Sequence, residues 1–246
     1  MIQYGSPYSK GFSCFQGQIG QQKKAGFTSL HTLLPKSMHT PGAKKLTGME
    51  KVKNYLLYLT AKLTCSGGSD LAREINQTWT YIYESLMASS AFSPEHENQL
   101  LRNNWLVFAD YNPKKWSGSK SVKGKYSLKK YKGEHEALRN EARDYVYLLK
   151  NCCTAYCDII APRREGAFSK FINEPDLRRK VSELTEKLMR IRAVASFVPI
   201  LMAVRIKHPD NLKIYYDYLE LCEKFACRVY RFAGKRSNTG QTTLFR

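Results

Sequence analysis

Acidic residues are scarce in this sequence. Asp and Glu number 21 against 40 Lys and Arg, giving a formal charge of +19 and a pI near 9.6. Such an imbalance points to a polyanionic partner, nucleic acid first and a membrane surface second. Long apolar runs are also missing. The longest, Ala193 to Val204, has 12 residues, contains Ser196 and Pro199, and lies between Arg192 and Arg205. A run that short does not cross a bilayer, so no membrane partner is expected. Residues 1–30 lack an apolar stretch between a basic start and a cleavage site, so no secretory signal is read there. Seven cysteines form no disulfide-scaffold spacing, and an odd count suits a reducing cytoplasm. There is no CxxC and no histidine pair with finger spacing. Cys153 and Cys157 are four apart, but Cys222 and Cys227 are five apart and diverge around a helix. Buried thiols are expected, and no metal site.

Catalytic patterns are equally absent: no P-loop, GxGxxG, HExxH or GxSxG occurs. The histidines, His31, His39, His96, His135 and His208, are scattered. His96 and His135 each stand between glutamates near a helix start, where a surface role is the ordinary reading. No Asp/Glu pair adjoins a basic motif in the manner of a metal-dependent nuclease. No catalytic residue and no cofactor is assigned to this chain, and the residues alone describe a binding module.

What is present is helical pattern. Hydrophobic residues make up 43% of the 246, enough for a real core. Residues 1–45 carry six lysines, six glycines and no acid, without sustained period, and read as an irregular or disordered basic segment. After Leu46 the pattern changes. Leu71, Ile75, Trp79, Ile82 and Leu86 keep one helix face apolar. Ser93-Pro94-Glu95 opens a helix carrying Leu100, Leu101, Trp105 and Phe108. Leu138, Ala142, Tyr145, Leu149, Cys152, Tyr156 and Ile159 form the seam of a long helix. Leu177, Val181, Leu184, Leu188 and Ile191 repeat that spacing behind Pro175, and Pro199 should kink or split the next helical stretch. A last helix after Pro209 uses Leu212, Tyr215, Leu219, Cys222, Ala226 and Val229, with Gly234 as its stop. No segment alternates long enough to be a strand. The expected fold is all-α: an irregular bundle of about six or seven helices over residues 46–246, with a basic loop.

That loop, Asn112 to Lys132, holds eight lysines and no acid, interleaved with Trp116, Tyr126 and Tyr131. Lysines neutralise phosphates and aromatics stack on exposed bases, while Gly118, Ser119 and Gly124 permit close approach to a backbone. Lys114, Lys115, Trp116, Lys120, Lys123 and Lys125 are the candidate nucleic-acid contacts. Trp116 either stacks on a base or wedges under the loop; the bland alternative is a solvated loop whose aromatics pack on the bundle. A second acid-free patch comprises Arg228, Arg231, Lys235, Arg236 and Arg246, with Arg228 and Arg231 expected on one helix face. A cation-favouring helix end would explain it equally well. Arg178, Arg179 and Lys180 precede Glu183 and Glu186 by one turn, so local ion pairing accounts for them.

Several segments, taken together, resemble a known family: LTGMEKVKNYLLYL (46–59), ENQLLRNNWLVFADYNPKKWSGSKSVKGKY (97–126), YCDIIAP (156–162), LMRIRAVASFVPILMAVRI (188–206) and CRVYRFAGKRSNTGQTTLFR (227–246). They are similar, in matching order over roughly residues 40–246, to GmrSD-type proteins, the modification-dependent (type IV) restriction endonucleases of bacteria and archaea. Members of that family begin with a ParB-like domain bearing a DGQQR-type nucleotide-binding motif. A helical region comes next, and then an HNH-type nuclease domain with His-x-x-Pro. Here Gln21-Gln22-Lys23 is no DGQQR, and His208-Pro209 has the wrong spacing. Residues 42–48, GAKKLTG, look like the family stretch around NRGKPLT, whereas the first 40 residues do not match. The resemblance therefore implies the helical central region alone. It further implies DNA as partner, ParB-like and HNH domains in cis, and NTP and a divalent metal such as Mg as cofactors of intact members. A truncated or frameshifted reading frame is the corresponding expectation. Two rivals stay open: a stand-alone basic nucleic-acid-binding protein, and a non-functional remnant whose exposed seams aggregate.

Overall fold

In the computed structural model, residues 45–63, 68–108, 116–237 and 239–240 are described. The first helix, α1 (Gly48–Lys62), starts on a reciprocal cap. The Glu50 amide donates to Thr47 Oγ1 at 3.2 Å, and the Thr47 amide donates to the Glu50 carboxylate at 2.6 Å. Two orphan amides are thereby satisfied at the positive helix end. Helix α2 (Gly68–Ala88) buries Leu71, Ile75, Trp79, Ile82 and Leu86, each at most 1% exposed. Helix α3 (Pro94–Phe108) begins at the proline, with the His96 amide donating to Ser93 Oγ. Leu100 and Leu101 are buried, while Trp105 packs at the margin of the core.

Two short helices come next, α4 (Ser119–Lys125) and α5 (Leu128–Tyr131), and then the long α6 (His135–Ile160). The 4-3 seam of α6, from Leu138 to Ile159, is buried throughout. A 3-10 turn (Ser169–Phe171) leads to α7 (Pro175–Arg190), α8 (Val194–Lys207) and α9 (Leu212–Phe225). Asn211 caps α9 by accepting from the Ile214 amide at 2.9 Å. Seven of these helices have fourteen residues or more, and no strand occurs among the described residues. The fold is an all-α bundle.

Helix α6 is the hub: it packs on α2, α3, α5 and α8. Helix α8 joins that group to a second one, in which α7 packs on α9. The apolar run Ala193–Val204 is this connecting helix, buried through Phe197, Val198, Leu201 and Met202. A helix apolar on all sides belongs in the middle of a bundle. No helix among the described residues is long and apolar enough to cross a membrane.

Three expectations are corrected. Pro199 does not split its helix, because α8 runs unbroken from Val194 to Lys207. Proline forfeits only the one ladder bond to Ala195, close to the helix start, and packing on both sides offsets it. The last helix does not remain α-helical to Val229: residues Ala226–Phe232 wind as a π-helix. The Ala233 amide closes it on the Arg228 carbonyl and Gly234, at φ +60°, ends it. Finally, the basic loop is largely helical, since α4 and α5 occupy much of it. The reading of residues 1–45 falls almost wholly on residues outside those described.

Candidate nucleic-acid interface

The basic segment is anchored from beneath by its own aromatic rings. Val122 is fully buried and Tyr126 is 2% exposed. Trp116, half-buried, lies against Trp105 of α3 with ring centroids 5.7 Å apart. The Tyr131 hydroxyl donates to the Glu141 carboxylate of α6 at 2.6 Å, and burial together with that bond pushes its pKa up to about 12. Burial raises the Tyr126 phenol as well. Of the two roles weighed for Trp116, the wedge under the segment is the one its packing fits. These rings supply hydrophobic area to a segment of seven- and four-residue helices too short to stand alone.

The lysines are thus carried outward, but they divide. Val122 faces the core, so Lys120 and Lys123, three apart, share one side of α4 while Lys125 takes the other. Lys123 Nζ lies 5.6 Å from the centre of the Tyr55 ring on α1. Lys125 Nζ lies 5.9 Å from Trp105 and 5.5 Å from Tyr126. Lys120, Lys123 and Lys125 have no carboxylate partner among the described residues. Lys114 and Lys115 lie outside the described residues. Gly118 caps α4 at φ +64°, a backbone setting that favours glycine, whereas Gly124 is an ordinary helical position.

Along the other margin of the segment, Glu134, Glu136, Glu141 and Asp144 of the α5–α6 turn and α6 supply acid. The freely basic surface is therefore on the α1 side of α4, which packs on α1. Sequence reasoning missed what α1 adds there. Lys51, Tyr55, Tyr58 and Lys62 recur at 4-3-4 spacing and share one face of α1. Tyr55 donates its hydroxyl to the Tyr126 carbonyl at 2.6 Å and to the Lys123 carbonyl at 3.3 Å, which fixes the end of α4 on α1. Helical period inside an unremarkable helix was the available signal; charge runs drew attention elsewhere.

Arg228, Arg231, Lys235 and Arg236 are all exposed. Arg228 and Arg231 stand on the π-helix, and its i→i+5 bonding turns residues three apart further from one another than an α-helix does. The shared face expected for them is lost. This patch rests on α9 and the lysine segment on α1, so the two basic groups occupy different parts of the framework.

Other candidates resolve into structural pairs. Arg179 meets Glu183 at 3.0 Å and Asp176 at 3.9 Å, whereas Glu186 is engaged by Arg163 and Arg178 donates to the Ala167 carbonyl. His96 is half-buried and its Nδ1 sits 2.7 Å from the buried Tyr156 hydroxyl, which donates to Gln99 at 3.0 Å. That replaces the surface role expected of it. A groove of about 470 Å³ beside α6 and α8 is lined by Tyr147, Asn151, Thr154, Lys170 and Arg205. Its Lys170 is held by Asp210 and its Thr154 by Tyr81, so those polar groups are already matched.

Cys152, Cys153, Cys157 and Cys222 are buried, and Cys153 Sγ stands 4.0 Å from Cys157 Sγ. Among the described residues no group of three or more His, Cys, Asp and Glu is placed to hold a metal ion. Burial pushes the Cys152 and Cys222 thiols up to about 12. At pH near 8 both thiols stay protonated and shielded from solvent, so native alkylation is slow. Iodoacetamide followed by peptide mass spectrometry should leave both unmodified in the native protein and label both in denaturant. Rapid native labelling of either would contradict the burial described.

No family model matches the chain, and no curated protein and no solved structure matches it either.

Proposed function

We propose that this chain is a DNA-contacting helical protein that holds the sugar–phosphate backbone on the α1–α4 surface. In this reading it is the helical central region of a GmrSD-like restriction endonuclease acting against phage with modified DNA. The observation that carries the binding reading is the pair Lys120 and Lys123, exposed on the α1 side of α4 and free of carboxylate partners among the described residues, while Lys125 is half-buried on the other side against Trp105. A chain with formal charge +19 has a long-range field that gathers polyanions before any contact forms. The endonuclease assignment rests on the resemblance of the five sequence segments, and DNA cutting would belong to ParB-like and HNH domains using NTP and a divalent metal.

Lysine-to-phosphate contacts release counterions, so each contributes about 0.9 to the slope of log affinity against log salt. Replacing Lys120 and Lys123 by Gln should weaken binding to a DNA duplex and flatten that slope by up to about 2. Titrations at several salt concentrations read this directly. An unchanged slope in the double variant would remove the α1–α4 surface from DNA contact.

A further inference from the structure

We infer that the α1–α4 surface takes an unpaired strand of DNA, with Tyr58 as the ring on which a base stacks. This deepens the proposed function and rests on it: the phosphate contacts are the same, and the stacking partner is new. Aromatics within the basic segment are committed to packing, Trp116 on Trp105 and Tyr126 in the core. Tyr58 is not: it is 53% exposed, and no hydrogen bond holds its hydroxyl among the described residues. Its neighbour Tyr55, 6.4 Å away between centroids, is pinned by its bonds to the Tyr126 and Lys123 carbonyls. One tyrosine of the pair therefore sets the position of α4, and the other is left facing outward.

Cations bracket this ring pair on both sides. Lys123 Nζ lies 5.6 Å from the Tyr55 centroid and Lys62 Nζ lies 5.8 Å from the Tyr58 centroid. Lys51 continues the row on α1, and Lys120 continues it on α4. An aromatic face set between ammonium groups suits a strand whose bases and phosphates alternate along its length. A paired duplex keeps its bases stacked inside, so it can use the lysines but not the ring. Cation–π contacts at exposed sites are weak, and Lys62 is readily drawn from Tyr58 to a phosphate.

The test compares an oligothymidylate of about 12 nucleotides with a duplex of equal length, by fluorescence anisotropy at matched salt. Base stacking on an exposed ring is expected to make Tyr58→Ala weaken single-strand binding about tenfold or more. Tyr58→Phe should retain single-strand affinity, and duplex binding should be unchanged in both variants. Tyr58 is exposed, so these substitutions spare the core. Suppose Tyr58→Ala binds both probes like the wild type while Lys120→Gln and Lys123→Gln still flatten the salt slope. Stacking then falls and the phosphate reading stands. If the lysine variants leave the slope unchanged as well, both fall together.

Discussion

Trp79→Ala should remove about 3–5 kcal/mol of stability, the expected range for truncating a buried tryptophan. Trp79 is fully buried on the core face of α2, the helix that packs on α1 and α6. A domain of this size is stable by about 5–15 kcal/mol, so the variant should sit near the edge of folding. The indole Nε1 of Trp79 is buried without a hydrogen-bond acceptor among the described residues. An unsatisfied buried donor costs about 1–3 kcal/mol. Trp79→Phe removes that burden along with part of the ring, so its loss should be well below that of Trp79→Ala. Urea unfolding of the three proteins checks both statements. Equal losses in the two variants would mean a benzyl ring packs here no better than a methyl group, contradicting the close burial of Trp79. Because α1 leans on α2, Trp79→Ala should also weaken the DNA binding proposed for the α1–α4 surface, in proportion to the unfolded fraction.

The same residue shows why much of this fold was legible. Leu71, Ile75, Trp79, Ile82 and Leu86 repeat at helical period over four turns, and one buried face requires that repeat. The α6 seam was legible for the same reason. Helices α4 and α5 were not: four to seven residues show no period, and lysine with glycine is the composition of a loop. Their helicity comes from tertiary anchors: for α4, Val122 and Tyr126 in the core and Tyr55 bonded to the Lys123 and Tyr126 carbonyls, and for α5, Tyr131 bonded to Glu141. The switch to π-winding after Phe225 has no sequence signature at this period either. At the candidate site the sequence supplied the lysines, while it hid the fate of the rings. Whether Trp116 or Tyr58 faces solvent depends on which side of a helix is already covered, and that is decided by neighbours distant in the chain.

Arg205→Ala should cost up to about 3–5 kcal/mol at neutral pH, the range for stripping a buried charge of its partner, which Arg164 lessens by still holding Asp158. Asp158, on α6, is 3% exposed, and Arg164 and Arg205 both converge on it, at 2.8 Å and 3.7 Å. The Arg205 guanidinium also lies 4.9 Å from the Phe171 ring, 5.6 Å from Phe168 and 5.7 Å from Tyr215. Its Nε and Nη1 have no hydrogen-bond partner among the described residues, and the surrounding rings offer the guanidinium cation–π contact. Burial raises the Asp158 carboxyl above its usual range, and the pull of the two guanidiniums does not fully offset it. A carboxyl raised on folding contributes stability that is full below its unfolded value near 3.9 and is lost as pH rises through the folded value. Removing Arg205 lifts the folded value further, so more stability is lost over the same rise. The deficit of Arg205→Ala should accordingly be smaller near pH 4 than near pH 7, its remainder being lost packing and ring contact. Arg205→Met keeps more of the packing and should show chiefly the pH-dependent part. Arg205→Lys keeps the charge without the planar face, so it should be destabilised at both pH values with little dependence on either. Denaturant titrations at the two pH values separate these cases. A deficit in Arg205→Met that does not grow with pH would mean Asp158 is held by Arg164 alone.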